Sequence, residues 1–180
     1  MYFKLILVLL VCNVVKLSVQ GGREFVSPVL QSPSRGRDSN WLSYGGKIYY
    51  KQIVFKANYF KATQFCRQQG MQLLSISNHI ENERLGKFIL DTGTLTGLYW
   101  TSGTKLVGDD QWVWLSTGQR ISYTNWGAGE PSGKTPDQKS EENCLVFDYF
   151  KGNNAWNDMN CHWDQYFICE SVSECDKTQY

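Results

Sequence analysis

A chain of 180 residues has room for one domain plus extensions. Its 42% hydrophobic and 19% charged content supports a packed core and excludes an intrinsically disordered protein. With 18 Lys and Arg against 17 Asp and Glu, the formal charge of +1 gives no basic excess, so neither nucleic acid nor a membrane is the expected partner.

Residues 1–20 read as a secretory signal peptide. Lys4 supplies a positive start, and residues 5–15 form an apolar run too short to span a bilayer but long enough for a signal core. The mature chain is therefore expected to be secreted and extracellular, and without Lys4 and Lys16 it keeps 16 basic against 17 acidic residues. Residues 21–40, with Pro28 and Pro33, read as a flexible lead-in without heptads or repeats. The globular domain spans residues 41–171 and a polar tail spans 172–180.

Within the domain, residues 47–55 are rich in Tyr, Ile and Val and predict a strand. Asn58 caps a predicted helix over residues 59–69, with Phe60, Ala62, Phe65 and Cys66 on its apolar face and Gly70 at its end. Residues 73–76 predict a short strand. Asn78 caps a second helix ending at Asp91, with Ile80, Leu85, Phe88, Ile89 and Leu90 as its buried side. Beyond it come short strands at 98–101, 111–115, 144–148, 156–158 and 166–170, separated by long loops. Two early helices and a loop-rich β half predict an α+β fold. Residues 125–143 are the longest irregular stretch, and loops of that length are usually functional or tied down.

Secretion decides how the cysteines read. Cys12 leaves with the signal, and Cys66, Cys144, Cys161, Cys169 and Cys175 become disulfide candidates, one of which must be left over. Zinc is not the expected metal, since there is no CxxC and there are only two histidines, His79 and His162. A hydrolase is disfavoured because G-x-S-x-G and H-E-x-x-H are both missing, so no enzymatic activity is expected.

Several motifs fall together: Tyr99-Trp100-Thr101-Ser102-Gly103, Trp112 and Trp114, Asn125-Trp126, Glu130-Pro131-Ser132, Glu142-Asn143-Cys144, Trp156-Asn157-Asp158, and the closing Cys161 and Cys169. In this combination the chain resembles the C-type lectin domain family over about residues 41–170, in the style of secreted single-domain insect members. The resemblance implies a C-type lectin-like fold, two helices with short antiparallel sheets and a long loop region held by disulfides and calcium. It implies pairing of Cys66 with Cys169 and of Cys144 with Cys161. Cys175 would then be free for a small-thiol cap or for an intermolecular disulfide that makes a covalent dimer.

The resemblance also implies a Ca2+ site built from Glu130, Ser132, Glu142, Asn157 and Asp158, with a cis peptide before Pro131. These are the oxygen donors calcium prefers. Glu130, Ser132, Glu142 and Asn157 would in addition contact the sugar: carboxylates accept hydrogen bonds from its hydroxyls and the Asn157 amide donates one. In the family, Glu-Pro-Asn accompanies mannose-like hexoses and Gln-Pro-Asp galactose. Glu-Pro-Ser matches neither, and the preference here is for galactose-type hexoses, with mannose or fucose as the competing class. Lys105 and Asp109 fall near the acids of a second calcium site, and a Lys there opposes a cation, so one calcium is expected. The four central Trp residues read as core, and Trp156 as an anchor beneath the site.

The function implied is a secreted calcium-dependent lectin that binds glycans on microbial or host cell surfaces, as in innate immune recognition or agglutination. The alternative is a calcium-independent protein-binding domain of the same fold, which the unusual Ser132 keeps open.

Overall fold

The computed structural model describes residues 40–171 apart from 92, 94, 95, 109, 151 and 152. The expected signal peptide, the lead-in up to residue 39, Cys12, Asp109 and the tail with Cys175 lie outside the described residues.

Strand β1 (Trp41–Tyr44) turns through Gly45 and Gly46, both at positive φ, into β2 (Lys47–Ala57), its antiparallel partner. Asn58 ends β2 and caps α1 (Tyr59–Gln68), its side-chain oxygen accepting from the Lys61 amide at 3.0 Å. Gly70, at φ +68°, leads out of the helix into β3 (Met71–Leu73). Asn78 repeats the capping arrangement for α2 (His79–Asp91), accepting from the Glu81 amide at 3.0 Å. Then follow β4 (Thr96–Thr104), β5 (Val113–Trp114), β6 (Gln119–Arg120), β7 (Cys144–Phe150), β8 (Asn153–Met159) and β9 (Gln165–Ser171).

The main path of the sheet runs β1-β2-β9-β4-β5-β6, with β3 added to β9 and the β7–β8 hairpin added to β4. Only the β4–β9 pair is parallel among these; it sets Tyr99 opposite Tyr166. The last strand thus lies between the first long strand and the middle of the chain, and the α+β expectation holds.

Cys66 joins Cys169 across 103 residues and Cys144 joins Cys161 across 17, with Cα separations of 5.5 and 5.2 Å. By loop-closure entropy these crosslinks contribute on the order of 4–5 and 3 kcal/mol. Both disulfides lie in a core with Tyr59, Trp100, Val146 and Phe167. A second core gathers Tyr49, Leu85, Ile89, Trp114, Phe147 and Trp156. Trp100, Trp114 and Trp156 are buried, while Trp112 and Trp126 pack half-buried against this second core.

The helices bury narrower faces than their apolar residues suggest. Phe60, Ile80 and Leu90 are 48, 52 and 45% exposed, contrary to the expected apolar faces. On α2 the inward stripe is Glu81, Asn82, Leu85, Gly86, Phe88 and Ile89. Glu81 holds its inward place because its carboxylate accepts from the Tyr49 hydroxyl (2.5 Å), the Lys47 ammonium (3.0 Å) and the Ser77 amide (2.7 Å). Lys47 also reaches Glu170 at 2.9 Å, and Ser75 and Gln72 complete that carboxylate's partners at 2.6 and 3.0 Å.

Candidate functional site

The irregular stretch that follows β6 is fixed to the sheet by backbone bonds to the buried Trp156. The Trp156 amide donates to the Asn125 carbonyl and the Gly127 amide donates to the Trp156 carbonyl, each at 2.8 Å. Trp156 is itself held by α2, its indole N–H donating to Asn82 Oδ1 at 2.7 Å. The next two residues of β8 are Asn157 and Asp158, so this anchor sets their position under the loop. On the other side, the Glu142 amide donates to the Gly133 carbonyl at 3.0 Å, which closes residues 133–142 into a ring just before β7.

Between these anchors the Glu130–Pro131 peptide is cis, and Ser132 becomes the meeting point of three carboxylates. The Ser132 amide donates to Glu130 Oε2 and to Asp158 Oδ1, both at 2.8 Å. Its hydroxyl donates to Glu142 Oε2 at 2.9 Å. Asp158, fully buried, also receives the Gly133 amide on Oδ2 at 2.8 Å. Four of the five expected residues, Glu130, Ser132, Glu142 and Asp158, are therefore joined directly. The fifth, Asn157, lies next to Asp158 on β8 and contributes a different feature: its Oδ1 is buried and accepts no hydrogen bond. Ser132 stands at the focus of the acids, and among the described residues no three His, Cys, Asp or Glu side chains form a ready metal-binding group on their own.

The electrostatics follow from this crowding. Burial raises the Glu130 carboxyl above the ordinary carboxylate range, its contact with Asp158 raises it further, and the Ser132 amide pulls it back. Glu142 is raised by burial and by the charge of Asp158, against the opposing pull of Ser132 and of the Lys105 ammonium. Lys105 lies over the Trp112 ring at 5.7 Å from its centroid, and its Nζ is 3.7 Å from where a Cβ on Gly133 would stand. The acids thus repel one another where water is scarce, a condition that a bound cation relieves.

The donors fit a hard divalent cation: three carboxylates, a hydroxyl and an amide oxygen, with neither sulfur nor imidazole. The unsatisfied Asn157 oxygen is the observation that bears on fit, since a buried amide oxygen without a donor costs ~1–3 kcal/mol until something supplies positive charge. One contributor escaped the reading of side chains in the sequence, the backbone amide of Gly133. Lys105, singled out in the sequence for a second calcium site, stands beside this loop, reaching it from β4–β5, 28 residues earlier than Gly133.

Comparison with known proteins gives a consistent pattern. Residues 55–171 match the model of the lectin C-type domain. The chain is 27% identical over 121 residues to the C-type lectin mosGCTL-7 of Aedes aegypti, covering 64% of this chain and 77% of that protein. It is 32% identical over 117 residues to perlucin of Haliotis laevigata, covering 65% of this chain and 72% of perlucin. Among solved structures, the carbohydrate-recognition domain of the human scavenger receptor C-type lectin superposes with a TM-score of 0.64 at 27% identity, over 74% of this chain and 97% of that one. The cow CD23 carbohydrate-recognition domain, solved in the presence of a GlcNAc2Man3 oligosaccharide, gives 0.60 at 25% identity, over 76% of this chain and 95% of that one.

Proposed function

Because the chain belongs to the C-type lectin domain family, we propose that it is a secreted, calcium-dependent lectin that binds hexoses of cell-surface glycans. The observation that carries this reading is the gathering of Glu130, Glu142 and Asp158 on Ser132 beside the unpartnered Asn157 oxygen. Glu130, Ser132, Glu142, Asn157 and Asp158 would hold the ion, which when bound offers neighbouring sugar hydroxyls a positive centre to coordinate.

The side chains decide orientation. Glu130 and Glu142 accept hydrogen bonds from hydroxyl protons, and the Asn157 amide nitrogen donates one. Ser132 presents one hydroxyl where the mannose-type motif carries an amide, so its donor can rotate while an amide donor could not. The proposed preference is for galactose-type hexoses, with mannose and fucose as competitors. Lys105 falls where the family resemblance puts the acids of a second calcium site, and a single calcium is the proposal. The similarity to the C-type lectin mosGCTL-7 supports a lectin, and the proposed role is recognition of glycans on microbial or host cells, with agglutination where chains are linked. A disulfide-linked dimer through Cys175 would supply the second site that agglutination needs.

A glycan array probed with and without calcium tests the reading: binding should appear only with the ion, and free galactose should compete best. The calcium-independent protein-binding alternative has one observation in its favour. The Ser132 hydroxyl donates to Glu142 at 2.9 Å and lies 3.5 Å from Asp158, so these side chains satisfy one another directly. Retention on a sugar column in excess chelator, or no sugar binding in either condition, would favour that alternative.

A further inference from the structure

A cleft of about 180 Å³ lies between α2 and the β7–β8 hairpin, away from the carboxylate cluster. Gly86 permits it, since a Cβ there would stand 3.0 Å from the Asn154 Cβ and push the helix off β8. The Asn154 amide is fixed across the seam, donating to the Asn82 carbonyl and to Glu83 Oε1, each at 3.3 Å. Leu90, 45% exposed, forms an apolar wall, and Glu83 and Lys87 stand on the rim one helical turn apart. Tyr149 lines the interior. It is only 2% exposed, and its hydroxyl is buried without a hydrogen-bond partner.

An orphan hydroxyl at this depth costs free energy unless something enters to pair with it. The volume is below the ~300–1,000 Å³ of clefts that take drug-sized ligands, which limits an occupant to one ring. The rim carries one acid and one base, so a charged occupant would meet a like charge whichever sign it bore. An apolar wall on one side and polar groups spread over the other match a neutral pyranose, whose C–H face is apolar and whose hydroxyls both donate and accept. We propose that this cleft is a second saccharide subsite, independent of calcium, that holds one pyranose through the Tyr149 hydroxyl, Glu83 and the Leu90 wall.

The test is a titration of isotope-labelled protein in excess EDTA with methyl β-galactopyranoside and with methyl α-mannopyranoside, followed by amide chemical shifts. Working in chelator silences the calcium-dependent site, so the two readings fail separately. Saturable shifts at Gly86, Tyr149 and Asn154, with dissociation constants in the millimolar range, are expected for at least one probe. Tyr149→Phe should weaken that binding about tenfold, as for one lost hydrogen bond. Its thermal midpoint should be unchanged or higher, because the hydroxyl it removes has no partner. Leu90→Ser, on the exposed wall, should weaken binding by a similar factor. The absence of saturable shifts with both probes overturns the proposal, and so does affinity that neither variant alters.

Discussion

Replacing Asn157 by Leu separates a metal ligand from a structural residue, because the two roles predict opposite responses to calcium. The buried Oδ1 accepts no hydrogen bond from the protein, and an unsatisfied buried oxygen costs ~1–3 kcal/mol. Leu shares the branched skeleton of Asn, is larger and carries no polar atom, so relief of the unpaired oxygen and the cost of extra volume should offset and leave the chelated variant within ~1–2 kcal/mol of the natural chain. With calcium the two proteins should separate. At an ion concentration ~100 times the dissociation constant, binding stabilises the fold by ~2.7 kcal/mol. Loss of a ligand that weakens the ion ~100-fold leaves only ~0.4 kcal/mol of that. A folded unit of about 130 residues has an unfolding entropy near 0.27 kcal/mol/K, so the calcium-induced rise in Tm should fall from ~10 °C to ~1–2 °C. Calorimetric melts of both proteins in EDTA and in calcium measure all four states. A variant equally destabilised in both conditions would make Asn157 a packing residue. A variant with the full calcium shift would remove it from the ligand set.

The remaining predictions concern the buried charges and the response to acid. Lys47→Met strands Glu81 and the fully buried Glu170 without their cation, and breaking such a group should cost ~3–5 kcal/mol at neutral pH. Burial already holds the Glu170 carboxyl above the ordinary range despite Lys47, so the variant should recover stability as pH falls and that carboxyl takes up a proton. Urea titrations giving the same loss at about pH 5 and pH 7 would contradict this. Lys51 is fully buried, and its ammonium is pushed down to about 8 by desolvation. The unfolded chain binds more protons than the native one between that value and the ordinary lysine range, so native stability should rise by up to ~3 kcal/mol as pH climbs through the window. Lys51→Met should lack that rise, and parallel stability profiles for the two proteins would refute it. Sugar retention at fixed calcium should decline as pH drops through the raised values of Glu130 and Glu142, where protons compete for the ligands. Undiminished retention at about pH 5 would oppose this.

What could be read from the sequence was local chemistry and motif spacing. Asn58 and Asn78 announce their helices because a cap acts over three residues, and both act as expected. The strand runs after residues 98, 144 and 166 were visible because β-branched and aromatic residues cluster there. Strands β1 and β6 were not read, since four and two residues carry little pattern and each gains its identity from a partner strand. Apolar content misled at Phe60, Ile80 and Leu90, where the inward stripe is taken by smaller or paired residues. The burial of Glu81 and Glu170 around the half-buried Lys47 had no local signal at all, because their bonds join positions 34 and 123 residues apart. At the candidate site, five side chains were singled out through a family pattern and four of them join at Ser132, whereas the Gly133 amide and the approach of Lys105 depend on how the loop lies.

That loop is held in place before any ion is considered, which bears on what calcium can contribute. Residues 125 and 127 are bonded to the Trp156 backbone, and Trp156 is bonded to α2. Glu142 is bonded to Gly133 and is followed by the β7 strand and its disulfide. Thr135 accepts the Ser140 amide at 3.1 Å and donates to Asp137 at 2.6 Å, which organises the tip from within. On the proposed reading, an ion arriving at such a loop would meet side chains already held by the protein, with little chain entropy left to lose on binding. Its free energy would go instead into relieving repulsion among Glu130, Glu142 and Asp158 and into satisfying Asn157. The Asp158 carboxylate, gripped by the Ser132 and Gly133 amides, is the fixed member of the set. Ser132 has the movable group, since its hydroxyl, bonded to Glu142, can rotate while its amide stays on Glu130 and Asp158.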